Sequence, residues 1–452
     1  MLGKNKVDML SGPIFKGLIS MTIPIMIMNV MQNMFNIVDM WALKSFSSET
    51  AVGAVGACGT LITLCNSLLI GVSSGANVII AKRIGSGDRE RAEKAVGTAI
   101  SVSVIGGIFL SVVGIVFARP FLVMANCPEG LLPLAVKYFK MYFLGATLFM
   151  VYNFCASILR ASGDTKHPMY FLIINGIVKV ILTFCFLYFF KADVVGVAFA
   201  TILASVVSCV LAITTIIRDK DSVYFSFSRL KVYFSELKGI LYIGVPTGLQ
   251  SGMYSLANVV IAATVNSYGE AATTGIAIAN QFDGILYQIS CATAFAATPY
   301  IAQNVGAKNF DRVKKAIIRS VFITVGFGAF FGSLSAIFSG QLSSIMSSNP
   351  ATIAFSQQKM VIVSSTYFIC GINEIMGGVM RGLGKPIVPT VATMLFMCLF
   401  RFPWVYFIFP LFPDSLTFLY LVWPIGWILS ISMILIFYFP TVKKLQTELK
   451  GA

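Results

Sequence analysis

Charged side chains are scarce in this sequence. Only 11% of its 452 residues are Asp, Glu, Lys or Arg, whereas soluble domains carry about 25%. Hydrophobic residues make up 57% of the chain, and its mean hydropathy is +0.85. This composition excludes an ordinary soluble protein. It predicts an all-α polytopic membrane protein, because a helix that crosses the bilayer needs about 20 mainly apolar residues.

The sequence also has little of the chemistry that enzymes and metal sites use. Its one histidine, His167, provides neither a metal site nor a Ser-His-Asp arrangement. The nine cysteines lie almost entirely within apolar runs and form no CxxC pair, so we interpret them as small buried hydrophobic residues. We therefore expect no enzymatic activity, no cofactor and no bound metal.

Apolar runs and basic loops together predict the topology. Twelve runs are long enough to span a membrane, with approximate limits 14–43, 52–80, 95–117, 138–159, 168–190, 194–217, 240–266, 273–302, 317–338, 357–380, 387–411 and 416–440. Basic residues concentrate in alternate loops, among them 82–94 and 308–315. The positive-inside rule places these loops and both termini in the cytoplasm, which indicates a plasma-membrane protein. It also accounts for the net charge of +15 without a nucleic-acid partner.

Two basic residues, Lys179 and Arg401, lie inside predicted spans, and Lys359 is assigned to the external side. A buried cation in a membrane span is costly and needs a partner. We therefore expect Lys179 and Arg401 to interact with intramembrane acids.

The two halves of the chain repeat each other. Pro24 and Asn36 recur as Pro246 and Asn258 at one constant offset, and the same offset separates Lys179 from Arg401. Six spans in each half give both halves the same orientation. We predict two six-helix lobes, residues 1–217 and 240–452, related by a pseudo-two-fold axis along the membrane normal, with an amphipathic cytoplasmic linker at 218–239. This architecture predicts alternating access to a central site.

The first predicted span contains an acid, Asp39, on the same helical face as Gln32 and Asn36. An ionised carboxylate in hydrocarbon costs roughly 3 kcal/mol on insertion scales. We interpret Asp39 as an ion- or proton-binding group. The alternative is an acid near the outer interface, within reach of headgroups and water.

A second acid, Glu374, lies in the tenth span, seven residues before Arg381. It is either an acid that lines a substrate cavity or a structural acid in a salt bridge. Our hypothesis gives each lobe one acid and one base, with Asp39 paired to Lys179 and Glu374 paired to Arg401. Removing one member of such a pair should then cost more than removing both.

Further polar residues follow helical spacing in the seventh and eighth spans and are candidates for the substrate cavity: Gln250, Tyr254, Asn258, Asn280 and Tyr287. Gln32 in the first span and Arg401 in the eleventh are candidates for the same cavity. Met28, in a methionine-rich part of the first span, suits an adaptable pocket. The alternative for all of them is ordinary packing and hydrogen bonding between helices.

Three loop motifs carry a resemblance to a known family. They are IAKRIGSGD at residues 80–88, LRASGDTK at 159–166 and MRGLG at 380–384. The first two resemble loops that follow the second and fourth spans of multidrug and toxic compound extrusion (MATE) transporters, and the third resembles the second-half counterpart. The resemblance implies an antiporter that exports small organic compounds against proton or sodium inflow. It also implies that Asn36 and Asp39 take part in coupling.

The fifth span departs from that family. Its DinF-like branch has Asn, Asn and Asp spaced by four, where this chain has Asn175, Lys179 and Thr183. The acidic position is lost and a cation is gained, which argues against a simple sodium cage and favours protons as the coupling ion. We include all three residues in the predicted coupling site.

Other transport and membrane functions are possible from the sequence. The intramembrane cations are compatible with a lipid-linked oligosaccharide flippase of the same superfamily, whereas twelve spans and the loop motifs favour a MATE transporter. A membrane enzyme or receptor would need a catalytic constellation or an extramembrane domain. We expect a monomer whose partners are its organic substrate and membrane lipid.

Overall fold

The computed structural model describes residues 6–220, 223–412 and 415–450, apart from the side chains of residues 49, 60, 254–257, 259 and 448–450. Within these residues the chain is helical and has no strand. Nine described helices are long and apolar enough to cross a membrane, and two bent helix pairs raise this number to eleven. The helix α9 lies where the sequence predicts the seventh span.

The first half of the chain contains eight helices. They are α1 (Ile14–Phe46), α2 (Glu49–Gly85), α3 (Arg89–Val116), α4 (Ala118–Met124), α5 (Leu132–Leu144), α6 (Ala146–Ala161), α7 (Lys166–Tyr188) and α8 (Asp193–Arg218). A 3₁₀ turn at Phe227–Arg229 lies in the predicted linker, and the next helix begins at Phe234.

The second half follows the same order. Its helices are α9 (Phe234–Asn266), α10 (Glu270–Gly306), α11 (Phe310–Ile337), α12 (Ser339–Met346), α13 (Pro350–Ser365), α14 (Tyr367–Gly382), α15 (Ile387–Thr393), α16 (Arg401–Pro403), α17 (Leu416–Tyr420) and α18 (Val422–Lys450). A 3₁₀ turn at Phe409–Leu411 ends the eleventh span.

Helix lengths show the repeat directly. The pairs α1 and α9, α2 and α10, α3 and α11, and α6 and α14 contain 33, 37, 28 and 16 residues in each member. The residues that cap the starts of helices and the glycines that follow their ends repeat as well. Asp88 and Asn309, at corresponding positions of the two halves, accept hydrogen bonds from the third following amide and so cap α3 and α11. Gly163 and Gly384 adopt positive φ angles of 89° and 77° just after α6 and α14, a backbone conformation that glycine tolerates.

Two predicted spans differ from the single helices expected from hydropathy. The fourth is α5 and α6 bent by 45°, and the tenth is α13 and α14 bent by 48°. At the breaks, the amides of Gly145 and Thr366 donate to carbonyls three residues earlier, those of Tyr142 and Val363. Such tight turns interrupt the regular bonding to the fourth preceding residue and change the direction of the helix.

The eleventh span is also irregular. Between α15 and the end of the span, residues Met394–Leu399 and Trp404–Ile408 are π-helical, and Arg401 lies between them. The amide of Phe400 donates to the carbonyl of Leu395, five residues earlier. Pro403 has no amide hydrogen and cannot continue a regular helix. The wide turns place Arg401 at a local change of helical register.

Residue contacts divide the chain into two compact units. Unit 1 contains Met1–Asp8 and Ile27–Gly248, and unit 2 contains Met9–Met26 and Leu249–Ala452. Each unit has its own apolar core, which includes Phe139 and Phe143 in unit 1 and Trp404 and Trp427 in unit 2. The helices α1 and α9 each contribute residues to both units. The lobe limits at residues 217 and 240 stay a prediction.

Candidate functional site

A buried ion pair joins α1 and α7 in unit 1. Lys179 Nζ contacts Asp39 Oδ2, and both side chains are only 12% exposed. Thr183, one helical turn after Lys179, is fully buried on the same side of α7. The predicted pairing of Asp39 with Lys179 is therefore confirmed. Two opposite charges in this setting stabilise each other and avoid the cost of an isolated intramembrane charge.

The close approach of the two helices explains how a short carboxylate reaches a lysine. Gly176 lies in α7 three residues before Lys179, and a methyl group built on it would come within 1.8 Å of the Phe35 ring in α1. Only a glycine leaves space for this aromatic ring at that position. The contact keeps α1 against α7 beside the ion pair.

The other predicted coupling residues are placed differently. Asn175 donates to Ser208 Oγ of α8 over 3.1 Å, so its amide joins two helices within unit 1. Asn36 is exposed, as is Gln32, whereas Met28 is buried and only 7% exposed. Asp39, Lys179 and Thr183 thus form the immediate site, and Asn36 lies one turn away on an open surface.

Arg401 does not pair with Glu374, and that hypothesis is wrong. Its Nη1 donates to Asn258 Oδ1 of α9 over 2.6 Å, and its guanidinium carbon lies 5.4 Å from the centre of the Trp423 ring. The side chain is 1% exposed. The sequence could not reveal this partner, because it depends on which neighbouring helix the side chain faces.

Glu374 lies seven residues before Arg381 in the same helix, α14, and the two opposite charges attract each other. Seven residues are close to two full turns, so Glu374 and Arg381 share a face of α14.

The Glu374–Arg381 pair extends to α9 and α15 through Gln250. Arg381 Nη1 donates to Gln250 Oε1 over 3.3 Å, and Gln250 Nε2 donates to Thr393 Oγ1 over 2.9 Å. Gln250 is therefore part of a buried hydrogen-bond network in unit 2, where the two ends of its amide serve different helices.

Lys359 is a buried cation, and its predicted place on the external side of the membrane stays a prediction. Its side chain is 1% exposed, and its Nζ lies 2.7 Å from Asp283 Oδ2 and also contacts Asn280 Oδ1. The Trp423 ring lies 5.1 Å from the same ammonium group. The signal that could have revealed it is Asn349 followed by Pro350, a typical helix start that places Lys359 in the third turn of α13.

Unit 2 thus holds several of the predicted cavity residues in two neighbouring groups. Asn258 contacts Arg401 and Asn280 contacts Lys359, and both asparagine side chains are exposed. Tyr287 is half-buried near Glu374. The side chain of Tyr254 lies outside the described residues.

Known proteins share this arrangement of helices. The chain is 26% identical over 379 residues to "Probable multidrug resistance protein YoeA" of Bacillus subtilis, covering 82% of each chain. It is 25% identical over 409 residues to the "FAD transporter" of Shewanella oneidensis, covering 88% of this chain and 89% of that one. The crystal structure of the Vibrio cholerae MATE transporter VcmN in the bent form has the same fold, with a TM-score of 0.88, 20% identity and coverage of 96% and 98% of the two chains.

A family model extends this likeness to both halves of the chain. The MatE model matches residues 24–185 and again residues 246–407, two segments of equal length. The segments cover well over half of the sequence and include the buried Asp39–Lys179 pair as well as Arg401. The chain belongs to the MatE family of transporters.

Proposed function

We propose that this protein is a secondary antiporter that exports small organic compounds in exchange for protons by alternating access. The observation that carries the proposal is the buried ion pair between Asp39 and Lys179. A transporter couples two solutes when one of them changes the relative free energies of its conformations. A carboxylate that can lose its charge inside the membrane provides such a difference.

The composition of the pair favours protons over sodium. A hard cation such as sodium requires several oxygen ligands, whereas the ammonium group of Lys179 occupies Asp39 Oδ2. Protonation of Asp39 removes the attraction between the two side chains and leaves Lys179 as an uncompensated buried cation. A conformation that hydrates Lys179 is then favoured, and return to the dehydrated conformation requires that Asp39 lose its proton.

The substrate class is proposed in broad terms, as drug-like compounds or metabolites. The names of the relatives include multidrug resistance proteins and an FAD transporter, which supports organic compounds as the substrate class. We further propose that the protein acts as a monomer in the plasma membrane, with both termini in the cytoplasm. The basic loops 82–94 and 308–315 support this orientation.

Transport by the purified protein in liposomes tests the proposal. A fluorescent organic cation is offered to vesicles with an acidic interior, and a pH dye reports proton movement in the same sample. We expect dye accumulation that requires the pH gradient, together with substrate-dependent proton efflux. Accumulation that follows a sodium gradient at equal pH on both sides, without proton movement, would contradict proton coupling.

A further inference from the structure

Two buried cations lie around one tryptophan in unit 2. Lys359 Nζ is 5.1 Å and the Arg401 guanidinium carbon is 5.4 Å from the centre of the Trp423 ring. Both cationic side chains are 1% exposed, and they come from different helices, α13 and α16. An aromatic ring attracts cations through its electron-rich face. Trp423 therefore allows two like charges to lie closer together than they otherwise would.

The charges of this region do not cancel. Among the described residues, the buried and half-buried charged groups around Trp423 and Glu374 are the cations Lys359, Arg381 and Arg401 and the carboxylates of Asp283 and Glu374. Asp283 contacts Lys359, and Glu374 interacts with Arg381. Three cations and two carboxylates leave one net positive charge. In a region of low dielectric constant, such an excess attracts an anion strongly.

Neutral amides lie in front of the two cations. Asn258 Oδ1 accepts a hydrogen bond from Arg401, and Asn280 Oδ1 accepts one from Lys359, and both asparagines are exposed. A carboxylate or phosphate oxygen is a stronger acceptor for a guanidinium group than an amide oxygen is. An anionic ligand can therefore replace the amide of Asn258 without an approach through the protein core.

We propose that Arg401, held by Trp423 and covered by Asn258, binds an anionic group, a carboxylate or a phosphate, of the transported organic compound. Lys359 adds to the positive potential at this site. This inference rests on the proposed export function and specifies the charge of one substrate class. Arginine suits the role because its planar guanidinium group can donate two parallel hydrogen bonds to such a group.

Ligand binding to the full-length protein, without an ion gradient, tests the inference. Flavin mononucleotide and riboflavin share one fluorescent ring system and differ in the phosphate, so they serve as the anionic probe and its uncharged match. We expect flavin mononucleotide to bind wild-type protein in phosphatidylcholine nanodiscs and riboflavin to bind roughly tenfold to hundredfold more weakly, as expected for a lost charge-assisted contact. Equal binding of the two probes, or no binding of flavin mononucleotide, would overturn the inference.

Variants at the site and at a matched exposed position localise the effect. Arg401→Gln should weaken the binding of flavin mononucleotide to the level of riboflavin and leave riboflavin binding unchanged. Arg218→Gln removes the same charge from an exposed position in α8 and should change neither. If Arg401→Gln does not fold, Asn258→Asp provides a second test, because its carboxylate would neutralise Arg401 and exclude the anion. Wild-type affinity for flavin mononucleotide in either variant contradicts the assignment.

Competition separates the possible sources of the anion. Phenyl phosphate and benzoate should displace the probe, and their relative potency distinguishes phosphate from carboxylate recognition. Displacement by phosphatidylglycerol at ordinary bilayer fractions would assign the site to a lipid headgroup and overturn the substrate assignment. Proton-driven export of an organic cation together with a failure of flavin mononucleotide to bind would reject the anion site alone. Specific anion binding without any proton-coupled transport would instead reject the antiport proposal.

Discussion

Lys179 and Arg401 occupy corresponding positions of the two halves, and each side chain contacts the first helix of its own half. Lys179 meets Asp39 in α1, whereas Arg401 meets Asn258 in α9. Asn258 occupies the repeat position of Asn36, and Ile261 occupies that of Asp39. The helix arrangement is thus shared by the halves while the chemistry differs. One half holds an ion pair, and the other holds a cation bound to an amide.

The first prediction concerns transport by Asp39→Asn. The substitution keeps the size of the side chain and removes the group that changes charge. We expect loss of proton-driven export, measured in liposomes that contain equal amounts of folded variant and wild-type protein. Asp311→Asn, at an exposed position at the start of α11, is the matched control and should transport like wild type. Wild-type transport rates for Asp39→Asn would refute a coupling role for this carboxylate.

The second prediction concerns the energetic coupling of Asp39 and Lys179. Removing one partner from a buried pair typically costs about 3–5 kcal/mol, whereas removing both costs much less. We expect Asp39→Asn and Lys179→Met each to lower the thermal stability in detergent, and the double variant to recover part of the loss. The surface pair Glu90 and Lys94, with Nζ 2.8 Å from Oε1, should couple far more weakly, because water screens exposed charges. Additive losses for Asp39 and Lys179 would show that the two groups are independent.

The third prediction concerns the buried ion pair between Lys359 and Asp283. Lys359→Met leaves Asp283 without its ammonium partner, so we expect a stability loss of about 3–5 kcal/mol as for other broken buried pairs. Adding Asp283→Asn should restore much of that loss, as measured by thermal unfolding. Lys443→Met, at an exposed position in α18, is the control. A Lys359→Met variant as stable as this control would contradict the burial of Lys359.

The fourth prediction concerns topology. In a cysteine-free background, single cysteines at Ser86 and Lys314 should react with a membrane-impermeant reagent only in inverted vesicles, because the positive-inside rule places both loops in the cytoplasm. A cysteine at Gly130 should react in intact cells. All three positions are exposed. Labelling of Ser86→Cys from the outside of intact cells would reverse the orientation.

The fifth prediction concerns the contact between α2 and α9 in unit 1. A methyl group on Gly71 would lie 2.3 Å from the backbone of Gly248. Since backbone cannot move aside as a side chain can, Gly71→Ala should destabilise the protein by about 1–3 kcal/mol. Gly59→Ala, in the same helix with nothing within 4 Å, should be neutral or stabilising by up to about 1 kcal/mol. Equal thermal stability of the two variants would contradict the close approach.

The sequence by itself determined the membrane class, the repeat and one ion pair. Long apolar runs have few alternatives to membrane helices, because the bilayer requires every backbone polar group to be bonded within the segment. The correspondence of Lys179 and Arg401 followed from the repeat alone. The pairing of Asp39 with Lys179 could be predicted because an intramembrane acid and base in one half reduce each other's cost.

Only the tertiary structure decided the partners in the second half. Glu374 turned to Arg381, Arg401 to Asn258, and Lys359 to Asp283. These choices depend on the rotation of each helix and on the break at Thr366, where a single hydrogen bond shifts by one residue. Hydropathy averages over about 20 residues and cannot detect such a shift. Lys359 can therefore be buried, because α13 begins at Pro350, about two turns before the predicted span, and the lysine is the tenth residue of the helix.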